Sequence, residues 1–140
     1  LRAPMTTRYL LDTNVVSESA RPNPEPAVIA FFEGAGEACL SAITLFELSR
    51  GVEVLTPGRK RRFLEEWLEE VQASFEVLPI AKPTALLAAR LEVKLGRAGR
   101  SIEVRDLFIA AAAAEHELTL VTRNVSHFRG LGVTIVNPWE

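Results

Sequence analysis

Three carboxylates stand beside predicted secondary-structure elements, far apart along the chain. Asp12 directly follows a short apolar run, Glu47 follows the second predicted strand, and Asp106 comes shortly before the fourth. If the fold brought the three together, their negative charges would repel one another and reduce stability. A divalent cation would remove that cost, and Mg²⁺ and Mn²⁺ prefer such oxygen ligands. The pattern therefore raises the hypothesis of a metal ion bound by carboxylates.

Each carboxylate also has a purely structural interpretation. Asp12 could cap the segment that follows it, and Asp106 could simply favour the positive N-terminal end of a helix. Glu47 stands three residues after Thr44, which is the spacing of a capping box. Taken singly, these roles are favoured for Glu47 and Asp106, so only convergence of the three acids would favour metal binding.

The elements that must position these acids alternate between strands and helices. Short apolar runs closed by polar turns are typical of strands buried on both faces, as in parallel sheets. We predict strands at 9–11, 38–42, 75–80, 118–122 and 133–136, and helices at 26–32, 44–55, 59–74, 83–95 and 106–116. This alternation implies a parallel α/β sheet. Functional groups in such sheets gather at the carboxyl ends of the strands, where the three acids are expected to meet.

Composition excludes several other classes of protein. The 140 residues are 48% hydrophobic and 24% charged, which is ordinary for a globular domain and argues against disorder. The single Cys39 cannot form an internal disulfide, and one Cys with two His excludes a Cys/His zinc site. The net charge of -2 argues against a globally basic nucleic-acid binder. No apolar run approaches the ~20 residues that span a bilayer, so we expect no membrane association and a cytoplasmic location.

Four blocks of sequence contain the three acids or follow the fourth predicted strand. They are LDTNVVSE at 11–18, SAITLFELSRG at 41–51, RDLFIAA at 105–111 and LVTRNVSHF at 120–128, with VNPW at 136–139. In this order and spacing they resemble the PIN-domain family, and within it the VapC-type toxins of bacterial toxin–antitoxin modules. The resemblance implies a single PIN-like α/β domain with a five-stranded parallel sheet flanked by helices. We assign it to 5–140 and interpret 1–4, which precede the only methionine, as upstream residues.

The resemblance also implies an activity. The chain would be a metal-dependent endoribonuclease toxin of a type II toxin–antitoxin system that hydrolyses RNA phosphodiester bonds. Asp12, Glu47 and Asp106 would be its catalytic acids and the ligands of Mg²⁺ or Mn²⁺. The implied partners are the RNA substrate, a cognate antitoxin and a second copy in a homodimer, with DNA bound only indirectly through the antitoxin.

Supporting residues are expected around the acids. The family often has a fourth acid after the fourth strand, but this chain has none there, which favours one tightly held ion over two. Asn14, Thr122 and Asn124 are the expected supporting residues. Glu103 is a candidate substitute acid, although an exposed loop position is an equally simple interpretation.

Positive charge near the acids is expected to contact phosphate. The candidates are Arg50, Arg105 and Arg123, because the planar guanidinium group suits phosphate oxygens. For each of them, an exposed position without a function is the open alternative. The basic run at 59–62 is interpreted as a solvated helix start. His127 is interpreted as structural or exposed, without a partner at metal-ligand spacing.

Two other functions stay open. An enzyme that transfers phosphoryl groups through an aspartyl-phosphate would use Asp12 as its nucleophile. Phosphatases of the haloacid-dehalogenase type have a second Asp two residues later, where this chain has Asn14. A PIN-like binding module without catalytic activity is compatible with the missing fourth acid, although the three retained acids oppose it.

Overall fold

A parallel sheet of five strands runs through the part of the chain that the structure describes, residues 8–140 of a computed structural model. The interpretation of residues 1–4 lies outside the described residues. The strands are β1 (Tyr9–Leu11), β2 (Ala38–Ser41), β3 (Glu76–Leu78), β4 (Thr119–Val121) and β5 (Ile135–Val136). Their spatial order is β3-β2-β1-β4-β5, and every adjacent pair is parallel. The predicted fold class is confirmed.

Seven helices surround the sheet within residues 8–140. They are α1 (Thr13–Glu18), α2 (Pro26–Gly34), α3 (Ala42–Glu53), α4 (Arg59–Ser74), α5 (Lys82–Arg97), α6 (Val104–Glu115) and α7 (Val125–Phe128). None of the helices in these residues is both long and apolar enough to cross a membrane.

Strand β1 lies in the middle of the sheet, between β2 and β4. Leu10 pairs with Cys39 on one side and with Leu120 on the other. Leu10 and Leu11 are completely buried, as expected for an apolar strand covered on both faces. Because β1 ends at Leu11, the next residue, Asp12, emerges at the carboxyl edge in the middle of the sheet.

Each face of the sheet has its own hydrophobic core. Successive strand residues point to opposite faces, so that Leu10 and Leu120 pack with α5 and α6, whereas Leu11 and Val121 pack with α1, α2, α3 and α4. Burying a leucine or valine side chain contributes roughly 1.5–3 kcal/mol. The two cores therefore hold the strand ends, and the acids attached to them, firmly in place.

Helix α3 begins earlier than the sequence predicts. Its N-cap is Ser41, whose hydroxyl accepts a hydrogen bond from the backbone N–H of Ile43 at 3.1 Å. Thr44 is instead buried within the first turn, where its hydroxyl has no hydrogen-bond partner among the described residues. The predicted capping box of Thr44 and Glu47 is therefore wrong, because the helix begins three residues too early for it.

Other differences concern short elements and helix faces. The sequence prediction missed α1 and α7, and it made the later strands too long. Two large apolar side chains, Phe63 on α4 and Leu86 on α5, are 58% and 51% exposed. Both lie at the outer margin of an apolar stripe, where the neighbouring elements do not reach.

Candidate active site

Hydrogen bonds from two distant parts of the chain hold the Asp12 carboxylate. Asp12 is the N-cap of α1, and its Oδ1 accepts a bond from the backbone N–H of Thr13 at 2.8 Å. Its Oδ2 accepts bonds from the hydroxyl of Thr122 at 2.7 Å and from the side-chain amide of Asn14 at 3.3 Å. Thr122 directly follows β4 and is completely buried. Asp12, only 4% exposed, is thus fixed at the carboxyl edge of β1 and β4.

Glu47 approaches the same edge from the second turn of α3. Its Oε1 accepts a hydrogen bond from the Thr13 hydroxyl at 2.8 Å. Its Oε2 lies 3.7 Å from the guanidinium group of Arg105, which also lies 3.6 Å from Glu103. The same guanidinium is 5.3 Å from the centre of the Phe46 ring. Glu47 is therefore oriented by a hydroxyl on one side and a cation on the other.

Asp106 lies in the first turn of α6, beside His127, for which the sequence offers no partner at metal-ligand spacing. The Nδ1 atom of His127 is 3.3 Å from Oδ2 of Asp106. The His127 side chain is 53% exposed, as expected, and its contact with Asp106 joins residues that are far apart in the sequence, so that no metal-ligand spacing indicated it. A usable signal was its place in the block after β4, because that block also supplies Thr122 to the same edge.

Burial and neighbouring charges change the pKa values of Asp12 and Asp106. Burial raises the pKa of Asp12, its hydrogen bonds oppose the rise, and the charges of Asp106 and Glu47 add to it. Burial likewise raises the pKa of Asp106; contact with His127 opposes the rise, and the nearby carboxylates, including Glu47, add to it. The site is therefore a partly buried cluster of negative charge that favours a proton or another cation.

The predicted supporting residues make contacts of different kinds. Oδ1 of Asn14 accepts a hydrogen bond from the backbone N–H of Arg123 at 3.2 Å, which ties α1 to the loop after β4. The backbone N–H of Asn124 donates to the Thr122 hydroxyl at 3.0 Å, so that Asn124 supports Asp12 indirectly, through its main chain. Glu103 contacts Arg105 and is more than half exposed.

The three candidate arginines are not brought together. Arg105 contacts the acids as described above. The guanidinium of Arg123 lies 4.9 Å from the centre of the Trp139 ring. Arg50 is exposed on α3 and forms no ion pair with another residue in the range 8–140. Only Arg105 therefore lies against one of the three acids.

The donor set suits a hard divalent cation in its chemistry. Three carboxylates share one edge, and no basic side chain in the described residues forms an ion pair with Asp12. As the side chains stand, however, no group of three Asp, Glu, His or Cys residues in the described part of the chain is placed to hold an ion. Arg105 and His127 lie against Glu47 and Asp106, so an ion held by all three acids requires these side chains to rearrange.

Two depressions adjoin the acids. One, of about 350 Å³, extends between α1, α3 and α4 from Thr13 and Glu47 to Trp67. The other, of about 260 Å³, lies between the start of α6 and α7, where its walls include Asp106 and His127. Glu47 is thus accessible from the first depression and Asp106 from the second.

Comparison with known proteins decides the family. The model of the PIN domain family matches residues 9–131. The chain belongs to the PIN-domain family. Toxin FitB of Neisseria gonorrhoeae is 38% identical to this PIN domain over 136 residues, which cover 94% of the chain and 98% of FitB. VapC ribonuclease Y4jK of Sinorhizobium fredii is 35% identical over 136 residues, with coverage of 94% and 97%.

Solved structures agree with the sequence comparison. The structure of FitAB bound to the IR36 DNA fragment contains a chain that matches this PIN domain with a TM-score of 0.88 and 35% identity. The match covers 94% of this chain and 96% of the other. The resemblance to PIN domains and VapC-type toxins that the four sequence blocks indicate is therefore confirmed.

Proposed function

We propose that this PIN domain is a metal-dependent endoribonuclease and the toxin of a toxin–antitoxin pair. The observation that carries the proposal is the convergence of Asp12, Glu47 and Asp106, from three separate parts of the sequence, at one edge of the sheet. The names of the relatives, a toxin and a VapC ribonuclease, support it. The raised pKa values of Asp12 and Asp106 further support a site that favours a bound cation.

Asp12, Glu47 and Asp106 would hold one Mg²⁺ or Mn²⁺ ion. When bound, such an ion polarises a phosphate oxygen and lowers the pKa of a coordinated water. The chain's own residues do the remaining work. Thr122 and Thr13 orient the carboxylates of Asp12 and Glu47 through their hydroxyls. Such second-layer hydrogen bonds typically affect metal affinity or activity 10–100-fold.

Glu47 is also the candidate general base for the attacking water. Its side chain is only partly buried, and its Oε2 faces Arg105. Arg105 would transfer from Glu47 to a phosphate oxygen of the substrate, which its planar guanidinium suits. Attack on phosphorus in line with the 3′ oxygen would leave a 5′-phosphate and a 3′-hydroxyl.

The proposal includes the partners of the toxin. The groove between α1, α3 and α4 begins at Thr13 and Glu47 and has an apolar wall formed by Leu64 and Trp67. A segment of a cognate antitoxin bound there would cover Glu47 and prevent RNA from entering. A homodimer, and DNA binding through the antitoxin alone, belong to the same proposal, as does a cytoplasmic location. The relative FitB occurs in a complex, FitAB, that binds a DNA fragment.

The test is cleavage of a mixed cellular RNA pool by the purified, antitoxin-free protein. Reactions contain Mg²⁺, Mn²⁺ or a chelator, and the variants Asp12→Asn and Glu33→Gln accompany the wild-type protein. Glu33 is an exposed carboxylate on α2 and serves as the matched control. The proposal would be supported by discrete cuts that require metal, that also occur with Glu33→Gln and that are absent with Asp12→Asn. Cutting that continues in chelator, or in Asp12→Asn, would refute the metal-dependent mechanism.

One observation favours a second candidate function, a PIN-like binding module without catalytic activity. No Asp or Glu lies between β4 and β5, and no three potential ligands within residues 8–140 are placed to hold an ion. Calorimetric titration with Mn²⁺ separates the two functions, because an inactive module has no need to bind metal. A folded protein that neither binds Mn²⁺ nor cuts RNA would favour the binding module.

A further inference from the structure

Three basic side chains follow one another along the exposed surface of α5. Arg90, Lys94 and Arg97 are four and three residues apart, which places them on one face of the helix. All three are exposed and line a shallow groove. None of them forms an ion pair with another residue of the described chain. Their positive charge is therefore not neutralised within the domain.

Acidic side chains are kept away from this basic face. Glu92 is the only acid in α5, and it follows Arg90 by two residues, roughly 200° around the helix. The helix packed against α5 is α6, whose Glu115 accepts a 2.6 Å hydrogen bond from Thr84 at the far end of α5. By contrast, α4 carries four acids after its basic start, at positions 65, 66, 69 and 70. Among the helices of residues 8–140, α5 is therefore the one that offers a continuous stripe of positive charge.

The basic face leads to the candidate active site. The Thr84–Glu115 bond shows that α5 and α6 run antiparallel, so the end of α5 lies near the start of α6, which carries Asp106. Arg100, three residues beyond Arg97, lines the 260 Å³ depression together with Asp106. Arg100 also donates a 2.5 Å hydrogen bond to the carbonyl of Arg129, which fixes the loop between α5 and α6. A chain of positive charge thus extends from the acids along α5.

We infer that the basic face of α5 binds the phosphate backbone of a single-stranded RNA. The bound part of the strand extends from the acids past Arg100. The inference rests on the proposed ribonuclease function and identifies a binding surface for its substrate. Charge complementarity favours RNA over a second copy of the chain. A symmetric contact between two such faces would bring six unpaired cations together.

The test measures RNA affinity as a function of salt concentration. A fluorescent single-stranded RNA is titrated in chelator with the Asp12→Asn protein, and its anisotropy is followed. Two further proteins carry Asp12→Asn together with three more substitutions. In the α5 variant these are Arg90→Gln, Lys94→Gln and Arg97→Gln. The α4 variant carries Arg59→Gln, Lys60→Gln and Arg62→Gln. It loses the same amount of charge on the opposite side of the sheet. Arg61 and Arg100 are left intact because both hold neighbouring segments.

The α5 variant is expected to lose at least about tenfold in affinity at low salt. For this variant, the slope of the logarithm of the RNA association constant against the logarithm of the salt concentration should become less negative by about 2. The reason is that each phosphate contact with a single strand contributes about −0.7 to the slope. The α4 variant should lose clearly less. An equal or larger loss in the α4 variant, an unchanged slope in the α5 variant, or no RNA binding by the parent protein would overturn the inference.

Two measurements separate this inference from its competitors. Sedimentation velocity is expected to give the same oligomeric state for all three proteins. Dissociation of only the α5 variant would identify the face as a protein interface and overturn the inference. Cleavage by the wild-type protein tests the proposed function separately. If the wild type cuts RNA and the α5 variant binds RNA as its parent does, only the inference fails.

Discussion

The guanidinium of Arg105 lies 3.7 Å from the Glu47 carboxylate and rests on the ring of Phe46. One of the three acids thus has a positive charge beside it that comes from the domain itself. Arg105 is joined to the site in sequence as well, because it immediately precedes Asp106. Its position would make the proposed metal ion and the arginine competitors for one carboxylate.

We predict that Arg105→Gln strengthens the binding of Mn²⁺ while it weakens the binding of RNA. Removing the competing charge should raise metal affinity by up to about fivefold, which corresponds to the ~1 kcal/mol upper range of exposed ion pairs. Calorimetric titration measures the first effect and RNA anisotropy the second. Arg59→Gln, which changes an exposed arginine at the start of α4, is the control. Weaker Mn²⁺ binding by Arg105→Gln would show that Arg105 orients Glu47 instead of competing for it.

We predict that Asp12→Asn lowers the cleavage rate by more than about 100-fold, which exceeds the usual effect of second-layer residues. The stability of the fold should not decrease. Asparagine caps helices as well as aspartate does, and it removes a charge that is unfavourable here, because burial, and to a smaller extent Asp106 and Glu47, raise the pKa of Asp12. Thermal unfolding should therefore give a Tm equal to or above that of the wild type. A much lower Tm would mean that the charge of Asp12 is needed for folding.

Thr122→Val should destabilise the domain. The variant keeps the shape of the side chain but loses the buried hydroxyl that donates to Asp12 at 2.7 Å. Hydrogen bonds to charged groups contribute about 1.5–3 kcal/mol, and urea unfolding should show a decrease of that size in the free energy of unfolding. Thr122→Ser retains the hydroxyl and should lose clearly less. Equal losses in both variants would assign the effect to packing.

Glu18 should make the stability of the domain depend on pH. Its carboxylate is buried and accepts hydrogen bonds from the backbone N–H of Glu25 at 2.8 Å and from Arg21 at 3.2 Å. These contacts, the Glu25 bond foremost, lower its pKa below the ordinary value of 4.5. An acid with a lowered pKa in the folded state stabilises it above the unfolded pKa. That stabilisation is lost as the pH falls through the folded value.

The expected result for Glu18→Gln is a lower Tm than the wild type at neutral pH and a shrinking difference as the pH falls below 4.5. Thermal unfolding at a series of pH values measures it, with the exposed Glu33→Gln as the control. A difference in Tm that stays constant down to the lowest pH would show that the charge of Glu18 is not what stabilises the loop.

The sequence was sufficient for the parts of the fold that have a strong periodic pattern. The predicted bounds of β1 and α4 match the structure, because a continuous apolar run and a long amphipathic stretch leave little choice. The short α1 and α7 were missed, since helices of four to six residues have no repeating apolar face. Helix α1 depends instead on its cap, Asp12, which the sequence analysis considered only as one alternative.

The site was predictable to the extent that it follows from strand ends. Asp12 and Asp106 could be placed at the sheet edge because each lies next to a recognisable element. The contacts of Glu47 could not be foreseen, because its alternative role depended on Thr44 starting the helix. Neither could the pairing of Asp106 with His127, which depends on how α7 folds back against α6.

The hydrogen bond between Asp12 and Thr122 joins residues that are 110 positions apart. During synthesis, β1 emerges early, but its neighbour β4 is made only after most of the domain. At roughly 5–20 residues per second, that interval is on the order of 5–20 s. Throughout it, Asp12 lacks Thr122, and Asp106 and the rest of α6 are made only near its end. A nascent chain therefore cannot complete the acid cluster with its Thr122 contact, and the ribosome that makes this domain would not be exposed to the proposed ribonuclease activity until β4 has been added.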